Sequence, residues 1–589
     1  MSYRAPVAEI SHTLTSIAGM RELADSGIFP DLSVDLVDAV LEEAGRFASD
    51  VIAPLNAPGD AAGARLADGI VTLPDGWKEA YQRWVEGGWG ALPGPVDHGG
   101  QGLPVSLAVA VQEIWNSASM AFGIGTVLTA GAVEAVVAHG SDTLRQTYLD
   151  KLVSGEWTGT MNLTEPQAGS DLALLRARAE PVGDGTYRIF GTKIFITYGE
   201  HELTDNIVHL VLARLPDAPE GTRGISLFLV PKYLVNADGS LGARNDVHCT
   251  GLEHKLGIHA SATCTMTYGD NGGAIGWLVG EENRGLNCMF TMMNNARLHV
   301  GIQGVAIAER AFQQALAFAG DRLQGRKPGM GPTQAVAIIE HPDVRRNLMT
   351  MRALTAAARA ICYLTANAID RAHHAADPDE RARALERANL LTPLAKAFST
   401  DVGTQVASIG VQVHGGMGYI EETGAAQHLR DARIAQIYEG TNGIQAIDLV
   451  TRKITQGGGA AVRAYLDELD VLARDIAGAN TDALGRSAER IGESLAHLRE
   501  ATEWMLERAS AHPDDALCGA TPYLELFSLA AGGAHLAHGA LAGAGAQGQI
   551  QRQTARFFAE NLMPATSGLL TAVTGGAAAL AAADVALQV

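Results

Sequence analysis

The chain has 589 residues, 47% of them hydrophobic and 19% charged, with a formal net charge of −21. That length exceeds one ordinary hydrophobic core and predicts several domains, and the composition is that of a globular chain rather than a disordered one. Such acidity gives no electrostatic reason to hold DNA, RNA or an anionic membrane surface, although helix N-termini and a few arginines can still hold the phosphates of a nucleotide cofactor.

In chain order, Leu36, Val37, Val40, Leu41, Ala44, Phe47 and Val51 predict one helical stripe, stopped by Pro54. Glycine and proline cluster over 86–104, which predicts a loop, and helical patterning resumes over about 106–153. The period then changes. Residues 186–197, 207–215, 225–230 and 263–268 read as strands, Asp184-Gly185 marks a turn before the first, and the spacing predicts a small antiparallel barrel or sandwich. Helical periodicity returns near Arg284 and runs to about Ile454; Gln456–Gly459 (QGGG) reads as a linker, and 460–589 as a further all-helical unit without recognisable chemistry. The Ala- and Gly-rich tail from Gly568 suits close helix packing better than a bilayer span. The five cysteines, Cys249, Cys264, Cys288, Cys362 and Cys518, have no CxxC spacing, and the first residues carry no leader pattern, so a soluble cytoplasmic protein is expected.

Three runs carry chemistry. MNLTEPQAGSD (161–171) can offer N–H and O–H groups to a planar heterocycle from a polar turn leaving a strand, although its Glu-Pro and Ala-Gly steps equally suit a plain turn. GTKIFIT (191–197) can set Phe195 and Thr197 beside the same ligand, although an aromatic residue on a strand is more often core. DARIAQIYEGTNGIQ (431–445) places Glu439 between Tyr438 and Gly440 at the end of an apolar helix pattern. A carboxylate desolvated there gains basicity, and the adjacent glycine lets a ligand approach the backbone; a solvated helix-end glutamate is the commoner use of Glu-Gly. His373-His374, and His254 with His259, lack the spacing and partners of a zinc site, so no metal is expected.

TEPQAGSD (164–171), FIT (195–197), GISLFLVPK (224–232), HGGMGY (414–419) and IYEGTNGIQ (437–445) follow one another as in acyl-CoA dehydrogenases, and the chain over about 36–454 resembles that family. The resemblance implies an α+β multidomain fold: an N-terminal helical domain with an extension (1–157), a middle β-barrel or sandwich domain (158–280) and a helical bundle carrying the base (281–455). That bundle is expected to be a four-helix one, followed by an extra C-terminal helical domain (460–589). It also implies FAD, with Met161, Leu163, Thr164, Phe195 and Thr197 along the flavin ring and Thr441 and Gly443 along the adenosine part. Arg322, Gln324, Gln412, Gly415 and Gly416 are then expected to reach FAD across a subunit interface, and Ser170, Asn294, Arg297 and Gly440 to meet the acyl-CoA. Phe195 stands where tryptophan is frequent, which keeps a stacking surface and loses an indole N–H.

Glu439 is the implied catalytic base, since the stretch NNARLH around Arg297, where some members carry theirs, has no acid. The implied reaction is α,β-dehydrogenation of an acyl-CoA to the trans-2-enoyl-CoA. The length and the C-terminal unit resemble a subgroup of large bacterial members that includes enzymes of dimethylsulfoniopropionate breakdown, which implies 3-(methylthio)propionyl-CoA as substrate. Short or medium straight-chain acyl-CoA dehydrogenation, an acyl-CoA oxidase and a non-catalytic flavin- or CoA-binding scaffold remain as alternatives. The implied partners are an electron-transfer flavoprotein and a second copy of the chain, as a dimer.

Overall fold

The computed structural model describes residues 3–331, 333–479 and 481–588, without the side chains of 290, 292–294 and 585. Its first helical layer holds α1 (Val34–Phe47), α2 (Trp77–Glu86), α3 (Val105–Ala118), α4 (Met120–His139) and α5 (Asp142–Ser154). Ser33 and Ser141 start α1 and α5 by accepting the Leu36 and Leu144 N–H groups (3.2 and 3.3 Å), so serine side chains satisfy amides that the first turn leaves unpaired. Apolar residues surround α3 and α4 on nearly all sides because both are interior helices, packed on each other and on the bundle. α4 is long and apolar enough to cross a membrane, but most of its length is buried inside the protein.

The main sheet that follows has eight strands, β1 (Thr158–Asn162), β2 (Arg178–Pro181), β3 (Tyr187–Thr197), β4 (Ile207–Arg214), β5 (Ile225–Pro231), β6 (Val247–Leu252), β7 (Thr263–Tyr268) and β8 (Ala274–Val279). Their order is β6-β7-β3-β8-β5-β4-β1, and β2 pairs with both β3 and β4, closing β3, β8, β5, β4 and β2 into a small barrel. Closure leaves the five barrel strands without a free edge of their own, while β6 and β1 end the sheet. The expected antiparallel pattern needs correction at two pairings. β2 meets β4 in parallel at Arg178 and Arg214. β1 lies parallel to β4, Thr158 opposite Ile207, because α5 delivers the chain to that edge and no hairpin constrains its direction.

Three long helices, α6 (Gly285–Asp321), α7 (Pro342–His374) and α8 (Pro378–His414), pack side by side; proline opens α7 and α8, where the missing N–H is harmless. The fourth member of the bundle is broken into α9 (Ala425–Ala432), a 3-10 turn (Arg433–Gln436) and α10 (Asn442–Asp448). Glu439 lies in the break. Gln456–Gly459 reverses the chain through positive φ at Gly457, Gly458 and Gly459. The last unit follows: α11 (Ala460–Ala479), α12 (Ser487–Ala511), α13 (Ala520–Gly539), α14 (Gly545–Asn561) and α15 (Ala565–Thr574). α13 packs against α7, α8 and α10 and so braces the broken helix from outside. The N-terminal residues dock on the bundle as well, through ion pairs of Glu9 with Arg352 and Arg359.

Candidate active site

Glu439 is held in a backbone conformation that glutamate rarely adopts. Its φ is +53°, followed by +82° at Gly440, so two left-handed residues in a row turn the chain between the 3-10 turn and α10. Such a conformation in a non-glycine residue costs about 1–2 kcal/mol and persists only where neighbours enforce it. They do so here. Gln445 Nε2 donates to the carbonyls of Glu439 (3.3 Å) and Gly440 (3.4 Å), Thr441 caps α10 by accepting the Ile444 N–H, and Asn442 is bonded repeatedly to α8. A Cβ on Gly440 would lie 2.8 Å from Gln445 Nε2. The Glu439 N–H has no acceptor among the described residues.

The Glu439 carboxyl is half-buried, and desolvation raises its pKa; Arg297 and then Lys396 oppose that rise. Arg297, expected against acyl-CoA, is 6% exposed and has an ion-pair contact of 3.5 Å with buried Asp448. Its influence therefore reaches Glu439 from behind, as a buried cation. Tyr438 donates its hydroxyl to Gln303 on α6, and burial, together with the charge of Glu439, pushes its pKa up. Asn294 lies outside the residues whose side chains are described. Ser170 is exposed at the far side of the turn that Asp171 stabilises by accepting the Ala173 N–H (2.9 Å).

The predicted flavin-side residues share one surface of the β domain. Thr160 donates to the Thr197 carbonyl (2.7 Å) and the Ile194 N–H to the Thr164 carbonyl (2.9 Å), so the chain leaving β1 is tied to β3. Beneath it, buried Lys193 meets Glu165 (2.8 Å) and the Leu163 carbonyl (3.0 Å), while Glu165 also accepts the Arg176 and Ala177 N–H groups (2.7 and 2.9 Å). Burial pulls the Lys193 pKa down to about 8; it pushes Glu165 up, but Lys193 and the two amides outweigh that and leave its carboxyl below the usual range. This pair fixes Leu163 and Thr164 beside Met161. Opposite them the register between β3 and β7 slips by one residue, and the bulge forces Phe195 to φ +61° with 58% of its surface exposed. An aromatic ring held out from a strand at a bulge, beside Thr197 and a polar turn, is a platform awaiting a planar ligand.

A second cluster lies elsewhere. Arg322 caps the C-terminus of α6, with exposed Gln324 two residues on, and Gln412, Gly415 and Gly416 are exposed at the C-terminal end of α8. Phe318 stacks on His414 at 4.4 Å, which brings both helix ends together. A Cβ on Gly415 or Gly416 would meet nothing. Along α8, Gln412 lies about 17 Å beyond Asp401, which accepts from Asn442 in the Glu439 loop, and along α6 Arg322 lies about 29 Å beyond Gln303, which Tyr438 meets. Thr441 and Gly443 stay with Glu439, at the start of α10.

Sequence reasoning missed the residues packed around the Glu439 loop: Lys396, Asn442, Gln445 and Asp448, all turned inward. Asn442 and Gln445 lie inside the motif that carried Glu439, so their adjacency was the available signal; Lys396, on α8, gave none.

Comparison with known proteins places these features in context. Residues 37–156, 160–270 and 283–454 match the N-terminal, middle and C-terminal domains of acyl-CoA dehydrogenases, and 461–584 match the acetyl-CoA dehydrogenase C-terminal-like domain. The chain is 49% identical over 543 residues to 3-methylmercaptopropionyl-CoA dehydrogenase of Ruegeria pomeroyi, covering 92% of this chain and 91% of that one. It is 34% identical over 598 residues to a butyryl-CoA dehydrogenase of Syntrophomonas wolfei, covering 97% of each. The crystal structure of a Bacillus anthracis acyl-CoA dehydrogenase complexed with FAD superposes with a TM-score of 0.74 at 20% identity, covering 92% of this chain and 88% of that one.

Proposed function

The chain belongs to the acyl-CoA dehydrogenase family of FAD-dependent oxidoreductases, and from that premise we propose that it converts a short acyl-CoA to the trans-2-enoyl-CoA with Glu439 as the base. The observation that carries the reading is the Glu439 loop: a desolvated carboxylate on a left-handed residue, its own N–H without an acceptor among the described residues, beside a glycine that admits ligand. The carboxylate takes the α-proton. The free N–H is oriented to receive the thioester oxygen, where charge accumulates as that proton leaves. Raised basicity matters because the α-proton of a thioester is a weak acid, and a carboxylate with an ordinary pKa would hold it poorly.

The residues present fit FAD. The exposed Phe195 ring with Met161, Leu163, Thr164 and Thr197 would hold the flavin ring, Thr441 and Gly443 the adenosine side, and the open backbone at Gly415 and Gly416 has room for a phosphate chain. When bound, FAD supplies the acceptor of the β-hydride. The Arg322 and Gln412 cluster, exposed at the ends of α6 and α8 away from the Glu439 loop, fits a site that a second copy completes, which supports a homodimer. An electron-transfer flavoprotein fits as the next acceptor, and the scattered, unpaired cysteines fit a reducing cytoplasm.

For substrate, 3-(methylthio)propionyl-CoA is the reading that the Ruegeria relative supports, and the Syntrophomonas relative supports butyryl-CoA as a second. One methylene in an apolar pocket is worth only about 1–3 kcal/mol, so both should react. The test is anaerobic bleaching of the enzyme-bound flavin by 3-(methylthio)propionyl-, butyryl- and palmitoyl-CoA. The expected order favours the first two. A clear optimum on palmitoyl-CoA would remove the short-chain assignment, and rapid oxygen consumption by the reduced enzyme would favour an oxidase.

A further inference from the structure

Behind Glu439 lies a buried ammonium group without an ion pair. Lys396 sits near the middle of α8, three residues after Pro393, with its side chain 0% exposed. Buried charges are ordinarily paired, because removing them from water is costly. Lys396 Nζ instead donates to a neutral amide, Asn442 Oδ1, at 2.8 Å, and makes no ion pair within 4.0 Å among the described residues. Burial pulls its pKa down to about 7, against the attraction first of Asp401 and then of Glu439.

The amide it grips is the bolt of the Glu439 loop. Asn442 Nδ2 donates to the Ala397 carbonyl (3.1 Å), Thr400 Oγ1 (3.0 Å) and Asp401 Oδ1 (2.8 Å), all on α8. These bonds anchor the first residue of α10, three positions after a glutamate whose φ of +53° needs enforcement. One side chain on α8 thus both grips the loop and puts a positive charge close enough to act on the carboxylate.

We infer that Lys396 is a positioning residue for Glu439: it holds the strained loop through Asn442 and places behind the carboxylate a buried cation that keeps it ionised. The inference rests on Glu439 being the base and adds a reason why its desolvation does not leave it protonated and idle. Burial favours the neutral acid; a nearby cation favours the carboxylate. The other charged or titratable groups facing this cluster are Arg297 from α6, Asp401 on α8, Arg433 and Tyr438 before the loop, Asp448 with Arg452 after it, and Glu525 from α13. Lys396 and Glu439 interact, so their apparent values belong to the pair.

The test uses FAD-loaded enzyme and the acyl-CoA that bleaches the wild type fastest, with flavin reduction followed across pH in wild type, Lys396→Gln, Lys396→Met and Glu439→Asp. Glutamine keeps a donor for Asn442 and loses the charge; methionine loses both. The acid limb should move up by about one unit in both lysine variants. The limiting rate should fall further in Lys396→Met than in Lys396→Gln, with the loss in kcat rather than KM. A lysine that only stabilises the fold would lower the yield of loaded enzyme and leave the limb where it is.

Difference infrared spectroscopy gives a second readout: the protonated-carboxyl band that is lost in Glu439→Gln reports the Glu439 ionisation directly. An acid limb that moves in Glu439→Asp but in neither lysine variant overturns the role of Lys396 and leaves the base intact. A limb that ignores Glu439→Asp overturns the base reading instead. In that case the infrared band decides for Lys396: an upward shift in Lys396→Gln upholds its charge effect, and an unmoved band ends it. Should Lys396→Met fail to fold, Lys396→Gln carries the test alone.

Discussion

Exchanging Glu439 for glutamine keeps the shape of the side chain and the backbone N–H, and removes the base. FAD content and acyl-CoA binding should survive, while flavin reduction should slow by about 10²–10⁴ or more. Stopped-flow mixing without oxygen reads this directly, and reduction at the wild-type rate would return Glu439 to the status of a solvated helix-end residue. Gly440 is tested differently. At φ +82° an alanine would be strained, and its Cβ would meet Gln445 Nε2 at 2.8 Å, so Gly440→Ala should displace the loop that carries the base. The expected outcome is a stability loss of about 1–2 kcal/mol with a much larger fall in kcat, checked by thermal melts beside turnover.

Among the elements, the turn after β1 is held by one buried ion pair. Lys193→Met leaves Glu165 buried without its cation, held only by Gln167 Nε2 and two backbone donors, and breaking such a pair destabilises by about 3–5 kcal/mol. Because Lys193 also holds the Leu163 carbonyl, the same variant should release FAD more readily. Adding Glu165→Leu should recover most of the stability, read as a double-mutant cycle in denaturant melts; no recovery would mean that the pair is not what holds the turn. On α4, Glu134 has one oxygen accepting from Asn295 and the other buried without a partner, and desolvation raises its pKa to about 8 from 4.5. A raised folded pKa means that the folded state binds more protons. Stability from this group is therefore complete below about pH 4.5 and is lost as pH rises through about 8. Glu134→Gln should remove that loss, so its melting temperature should gain on the wild type between pH 5 and pH 8, by the equivalent of about 1–3 kcal/mol.

For the whole molecule, the separation of Glu439 from the Arg322 and Gln412 cluster makes a specific demand. If each site takes its base from one chain and its Arg322 from the other, Glu439→Gln and Arg322→Ala chains should complement. Each is inactive or weak alone. Unfolding and refolding them together in equal amounts should give mixed dimers with one intact site, and about a quarter of wild-type activity. Activity no higher than the mean of the two parents would place both residues in one chain's site. The C-terminal helical unit enters at this scale too, since α13 rests on α8 and α10 and backs the broken helix that carries Glu439.

The sequence by itself determined a good deal. Hydrophobic period marked the long helices and the strands 186–197, 207–215, 225–230 and 263–268, because interior faces repeat at 3.6 or 2 residues whatever their neighbours. Five ordered motifs identified the family, because ligand-facing backbone needs particular small and polar residues at fixed spacing. Four strands of the main sheet were not legible: β1, β2, β6 and β8 are short, and their pairing energy comes from strands distant in the chain. The parallel partner of β1 could not be read either, since direction in a sheet is set by the path of the intervening chain. Above all, the sequence pointed to Glu439 and to little of what surrounds it. Arg297 and Lys396 lie on other helices, and burial and charge at a carboxylate depend on distances that only the packed bundle creates. The tertiary structure alone decided that Glu439 sits on a left-handed residue, desolvated and flanked by two buried cations, because those properties belong to the space between α6, α8 and the broken helix rather than to any one of them.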